Sequence, residues 1–225
     1  MNNHAMTLRA LARLLCYPDD TLMGQLPDVA QALAASGLSP ARRRELAGLV
    51  SELLGTDGLE VQARYVDAFD RGRRTSLHLF EHVHGDSRDR GPAMIDLQQT
   101  YAAEGLYLAD GELPDYLPVV LEFSSTQEAA TASGFLGEMA HILNALHSAL
   151  TERRNPYAAV IAAVLELAGE PLQAVPVQAE EPLDASWAEP EAFGGCNSAG
   201  QQAPSQPQTI HIVRHQNLQA PGAAA

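Results

Sequence analysis

A chain of 225 residues, 46% hydrophobic and 19% charged, can bury one sizeable core and still carry a tail. The formal net charge of −14, with every basic side chain an arginine, excludes the basic face of a DNA- or RNA-binding domain and favours cationic partners over anionic membrane surfaces. No apolar run reaches the roughly 18 residues of a membrane span. Met1 to Arg13 lacks the charged start and long apolar run of a signal peptide, so none is expected. Cys16 and Cys196 have neither metal-ligand spacing nor the look of a disulfide framework, and read as free thiols in a reducing cytoplasm.

Helix signals follow one another from the start to about Ala168. Leu8, Leu11, Leu14 and Leu15 form one apolar stripe, stopped by Tyr17-Pro18. Pro27 begins or kinks a second segment with Val29 and Leu33, ended by Gly37. Ser39-Pro40 reads as an N-cap with proline at the first helical position, ahead of Leu46, Leu49, Val50, Leu53 and Leu54. Asp57 caps a helix with Leu59, Ala63, Val66 and Phe69 inside, and Thr75 starts a short one with Leu77, Phe80 and His84 along one edge and Gly85 as its stop. Pro92 opens the next, with Met94, Leu97 and Tyr101 inward and Gly105 closing it. Asp115 is expected as the N-cap of a further helix, with Pro118 at the third helical position. Phe135, Met139, Ile142, Leu146 and Leu150 mark the longest helix, and Asn155-Pro156 caps the last, which buries Val160, Ile161, Val164 and Leu165 and ends at Gly169. Sustained period-two alternation is absent, so the expectation is an all-α fold, a multi-helix bundle over residues 1–169.

Beyond Gly169 the composition turns to Pro, Gln, Ala, Ser and Gly, and residues 170–225 read as a disordered tail. Three islands interrupt it: Trp187, Phe193-Gly194-Gly195-Cys196 and Thr209-Ile210-His211-Ile212-Val213. They are either residual hydrophobicity or a short docking segment.

The chemistry concentrates between Tyr65 and Phe123, where two histidines, alternating Asp and Arg and a Pro-Asp helix start stand among plain Leu/Ala helices. Glu81 with His84, and Glu138 with His141, have the Glu-x-x-His spacing of a di-metal bundle, for which Glu122 and Glu52 would have to supply the remaining carboxylates. Against this, the helix holding Glu81 ends at Gly85, too short for such a bundle. No histidine is followed by Asp, and no Gly-x-Ser-x-Gly, His-Glu-x-x-His, P-loop or Gly-x-Gly-x-x-Gly occurs, so nothing asks for an enzyme. Singly, His82 and His84 read as satisfied structural histidines, Asp86 to Arg90 as a solvated turn, and Asp115 as a cap.

Together these residues resemble the NarJ family, the molybdenum-cofactor assembly chaperones of respiratory nitrate reductase, within the wider all-helical TorD/DmsD type of redox-enzyme maturation chaperones. The resemblance rests on Leu14-Leu15-Cys16-Tyr17-Pro18-Asp19, Phe69-Asp70-Arg71-Gly72, Thr75-Ser76-Leu77, the run Leu79 to Gly91, and Pro114-Asp115-Tyr116-Leu117-Pro118 with Leu121-Glu122-Phe123. It extends to the three islands of the tail. His78 stands where the family pattern has an aliphatic residue, and Tyr116 where the wider group often has histidine.

The resemblance implies a TorD/NarJ-like bundle that works in the cytoplasm by binding, without catalysis and without a stably held cofactor. The expected partner is the apo catalytic α subunit of nitrate reductase, including its N-terminal segment, with molybdenum cofactor biosynthesis proteins as further partners. Neither nucleic acid nor integral membrane association is expected. The implied client-peptide site comprises Leu79, Phe80, His82, His84, Arg88, Asp115, Tyr116, Leu117, Leu121 and Glu122. In it Leu79, Phe80, Leu117 and Leu121 form apolar walls, Asp115 and Glu122 face a basic peptide, and His82 and His84 make affinity depend on pH. A helical di-metal protein and a chaperone of the same group for another molybdoenzyme are the alternatives.

Overall fold

The computed structural model describes residues 3–84 and 87–176, which fall within one compact unit, Met1–Gln178. Among the described residues ten α-helices follow one another: α1 Asn3–Leu14, α2 Asp20–Ala34, α3 Pro40–Gly55, α4 Gly58–Phe69, α5 Leu79–Val83, α6 Arg90–Ala103, α7 Leu117–Thr126, α8 Ala129–Glu138, α9 Ala140–Glu152 and α10 Ala158–Ala168. The described residues contain no strand, only an isolated antiparallel bridge between His78 and Tyr116. The fold is an all-α bundle. Gly85, Asp86 and all three tail islands lie outside the described residues.

Two helices hold the centre. α10 buries Val160, Ile161, Ala162, Ala163, Val164 and Leu165 in succession, so it has almost no solvent face and packs on α9, α8, α3 and α1. α1 turns Leu8, Leu11 and Leu14 into the core and packs chiefly on α7 and α2. Leu11 has no solvent exposure, and Leu11→Ala should cost about 3 kcal/mol through lost transfer energy and the cavity left behind.

Several helices depart from the sequence pattern. α2 begins at Asp20, well before Pro27, because Asp19 Oδ1 accepts the Leu22 N–H at 2.7 Å; Pro27 sits inside the helix. α4 turns Val61, Tyr65, Ala68 and Phe69 inward, while Leu59 is 77% exposed. Both stripes have helical spacing. Tyr65 selects between them: its hydroxyl donates to the Leu15 carbonyl at 2.8 Å, and its ring lies 4.9 Å from Phe69 and 6.1 Å from Tyr157.

The expected longest helix is two. Met139 (φ −94°, ψ 2°) separates α8 from α9, with Gly134 and Gly137 weakening the last turns before it. The apolar period continues across the break, which is why the pattern hides it. Thr75 closes a 3-10 turn, Arg73–Thr75, and the following helix starts only at Leu79.

α10 ends at Gly169, whose φ of +75° forms a left-handed C-cap. The chain then runs along α9. Asn144 Nδ2 donates to the Pro171 carbonyl at 3.4 Å, the Gln173 N–H donates to Asn144 Oδ1 at 2.7 Å, and the Val175 N–H donates to Ser148 Oγ at 3.0 Å.

Candidate functional site

Two features bring the chemistry-bearing residues together. The first is a knot between the segments around His78 and Asp115. The Leu117 N–H donates to the Leu77 carbonyl at 2.8 Å and the Leu79 N–H to the Asp115 carbonyl at 3.0 Å, tying the two segments side by side. This overturns the expected cap. Asp115 does not cap α7; Tyr116 holds that place and Pro118 is in the first two helical positions. With no solvent exposure, the Asp115 carboxylate turns toward α5 and accepts the Phe80 N–H at 3.1 Å. Arg90 Nη2 lies 3.8 Å from Asp115 and 3.5 Å from Glu81. His78 Nδ1 lies 3.4 Å from Asp115 Oδ1, and that hydrogen bond raises the imidazole above its ordinary value against the opposing pull of burial.

The knot reaches the core through Tyr116. Its ring lies 5.2 Å from His78, and its hydroxyl stands 3.3 Å from that of Tyr65, beside the Leu15 carbonyl. Burial raises both phenols above their ordinary range and raises the nearby Cys16 thiol. Tyr101 closes the far side by donating to the Pro114 carbonyl at 2.8 Å.

The second feature is a groove of about 640 Å³ over α1. Met6 and Ala10 of α1, Val29 of α2, Leu106 and Leu108 of the segment after α6, and Val119 and Phe123 of α7 form its apolar surface. Asp28, Glu112 and Glu122 place carboxylates around it. Its two arginines are engaged: Arg9 Nε donates to Ser125 Oγ at 3.1 Å and Arg13 Nε to Gln25 Oε1 at 2.7 Å. Residues 106–110 run along the edge between Gly105 (φ +77°) and Gly111 (φ +90°), conformations that disfavour any side chain, and carry Tyr107 at 82% exposure. Beneath lies a small cluster of Leu97, Tyr101 and Phe123, with the last two rings 4.5 Å apart.

A family model described as the nitrate reductase delta subunit matches residues 29–163. The chain belongs to this family. It is 38% identical over 204 residues to NarJ of Escherichia coli strain K12, a nitrate reductase molybdenum cofactor assembly chaperone, covering 84% of this chain and 86% of that protein. It is 29% identical over 160 residues to a NarJ protein of Bacillus subtilis strain 168, covering 71% of this chain and 86% of the relative. A solved structure from Archaeoglobus fulgidus, described as a redox enzyme maturation protein, shares the fold with a TM-score of 0.52 at 19% identity, covering 74% of this chain and 94% of that one. Both of these curated NarJ relatives are named as nitrate reductase molybdenum cofactor assembly chaperones. No helix among the described residues is long and apolar enough to cross a membrane.

Against the family expectation, the site residues divide. Glu122 is exposed and lines the groove. Leu79, Leu117 and Leu121 have no exposure and belong to the main core, so they support the surface from beneath rather than wall it. Asp115 is likewise turned inward and bonded. Phe80 is half-buried against the Leu97 cluster, with the His84 ring edge-on to it at 5.6 Å. His82 Nε2 bonds the Ser76 carbonyl at 2.9 Å, and Arg88 lies exposed in the turn before α6.

Sequence reasoning missed His78, Arg90 and most of the groove. The signal for His78 was its departure from the family pattern; for the groove it was Met6 and Tyr107, large apolar residues left exposed. The di-metal alternative loses its scaffold. Glu138 and His141 sit on different helices, α5 spans only five residues, and among the described residues no group of three His, Cys, Asp or Glu converges.

Proposed function

We propose that this chain is a cytoplasmic, system-specific chaperone of respiratory nitrate reductase. It binds the apo catalytic α subunit, receives that subunit's N-terminal segment in the groove over α1, assists insertion of the molybdenum cofactor, and delays membrane docking until insertion is done. The cofactor travels with the client, and molybdenum cofactor biosynthesis proteins are further partners at that step. The observation that carries this reading is the groove itself: an apolar floor from four parts of the chain, ringed by Asp28, Glu112 and Glu122, in a chain 38% identical to a NarJ chaperone.

An amphipathic helix lays apolar anchors every three or four residues into such a groove, and basic side chains beside them meet the carboxylates. The net charge of −14 draws a basic segment in and weakens its hold as salt rises. A synthetic peptide with the N-terminal sequence of a nitrate reductase α subunit should bind one-to-one by calorimetry. Glu122→Ala should weaken binding several-fold and flatten its salt dependence, and Val119→Glu should abolish it. Unchanged affinity in both variants would move the client site away from this groove.

A further inference from the structure

A second groove, of about 580 Å³, runs between α2 and α3 on another face of α2. Buried Leu33 and Val50 form its floor, with Ala47 and the half-exposed Leu54 along one side. Its charged lining consists of Arg43 and Arg44, with no carboxylate, in a chain of net charge −14.

These arginines belong to the run Arg42-Arg43-Arg44, whose members differ in their partners. Arg42 is ion-paired to Glu45 and lies 3.6 Å from Glu166. Arg43 Nη1 donates to the Ala34 carbonyl at 3.1 Å, and its buried Nε has no hydrogen-bond partner. Arg44 Nε donates to the Pro40 carbonyl at 3.3 Å. Neither Arg43 nor Arg44 is ion-paired among the described residues. Two guanidiniums held only by carbonyl oxygens, beside an apolar floor, offer strong bidentate sites to incoming carboxylates.

We propose that this groove docks an acidic amphipathic helix of a partner protein, with its apolar stripe on Ala47 and Leu54 above the buried Leu33 and Val50, and its Asp or Glu side chains on Arg43 and Arg44. It is a second interaction surface, of opposite charge preference to the groove over α1. A second copy of the chain fits poorly. In a two-fold pairing of α3 about Ala47, the arginines would face Val50 and Ser51 of the copy and find no carboxylate on the stripe. An anionic bilayer fits poorly as well, because the rest of the chain repels it and the surface is concave.

The test uses the full-length chain and two synthetic four-turn helical peptides, each with a leucine stripe, one flanked by glutamates and the other by lysines. The glutamate peptide should bind and the lysine peptide should not. Arg43→Glu combined with Arg44→Glu should weaken binding at least about tenfold. Ala47→Trp, which fills the groove from an exposed position, should abolish it. Unchanged circular dichroism and melting temperature in both variants establish that the fold persists. Absent binding, equal affinity for the two peptides, or indifference to the arginine changes overturns the proposal. So does either rival occupant: co-sedimentation with phosphatidylglycerol vesicles that the arginine variant loses, or a dimer in sedimentation equilibrium that Ala47→Trp dissociates.

Discussion

The carboxylate of Asp115 accepts the backbone N–H of Phe80 at 3.1 Å across 35 residues of sequence, in a position closed to solvent. A helix as short as α5, five residues, cannot hold itself in water. Asp115 supplies the acceptor that its first turn lacks, and His78 and Arg90 approach the same carboxylate from two sides.

Asp115→Ala is therefore expected to act on stability first. It leaves the Phe80 N–H without its acceptor and removes the carboxylate beside Arg90, at a cost of about 3 kcal/mol. Urea unfolding measures this, and a cost within the noise of surface substitutions would contradict the structural role. Any loss of client binding in this variant has to be read against its stability, whereas Glu122→Ala is free of that complication.

The His78–Asp115 bond also predicts a pH dependence. The bond raises the folded-state pKa of His78 above the ordinary 6.5, so the stability it contributes is fully present below pH 6.5 and is lost as pH rises through the raised value. His4 and His147, lowered by burial, act in the opposite sense, each losing stability as pH falls below 6.5. The readout is accordingly the difference in melting temperature between parent and His78→Gln. It should be largest in mildly acid solution and shrink above neutrality. A difference that stays flat across this range would show that His78 does not carry a proton to Asp115.

His82 and His84 should separate. His82 bonds the Ser76 carbonyl, so His82→Ala should destabilise the protein by about 1 kcal/mol in denaturant titration. His84 only packs edge-on against Phe80, and His84→Gln should change stability little. As an expected client-site residue His84 should be felt in binding instead, and calorimetry on His84→Gln should show a weaker hold on the client peptide than the parent. Equal affinity in parent and variant would leave His84 as structural.

Asn144 ties the segment after α10 to α9 through two hydrogen bonds, with Pro171 and Gln173. Asn144→Ala should cost roughly 1–2 kcal/mol. It should also speed hydrogen exchange at the Gln173 amide selectively. Unaltered exchange there would mean that the segment is held by other contacts.

The apolar period and the caps written into the chain determined that it forms helices and where most of them lie. Leu8, Leu11 and Leu14 specify α1, and the run Val160 to Leu165 specifies a helix with no polar face, which only the centre of a bundle accommodates. Ser39-Pro40 and Asp57 mark helix starts by local side-chain caps on the Arg42 and Leu59 N–H groups, and the motifs from Phe69 to Phe123 carried the family. Choices between equivalent local options belonged to the tertiary structure. Both faces of α4 are apolar at helical spacing, and the distant Leu15 carbonyl decides in favour of Tyr65. Asp115 has the sequence of a cap, but the paired backbone of Leu77 and Leu117 fixes where α7 begins and frees the carboxylate for Phe80. The grooves were illegible for the same reason: each is a concavity between helices distant in sequence or turned against each other, and periodicity records which face is buried without recording what lies opposite.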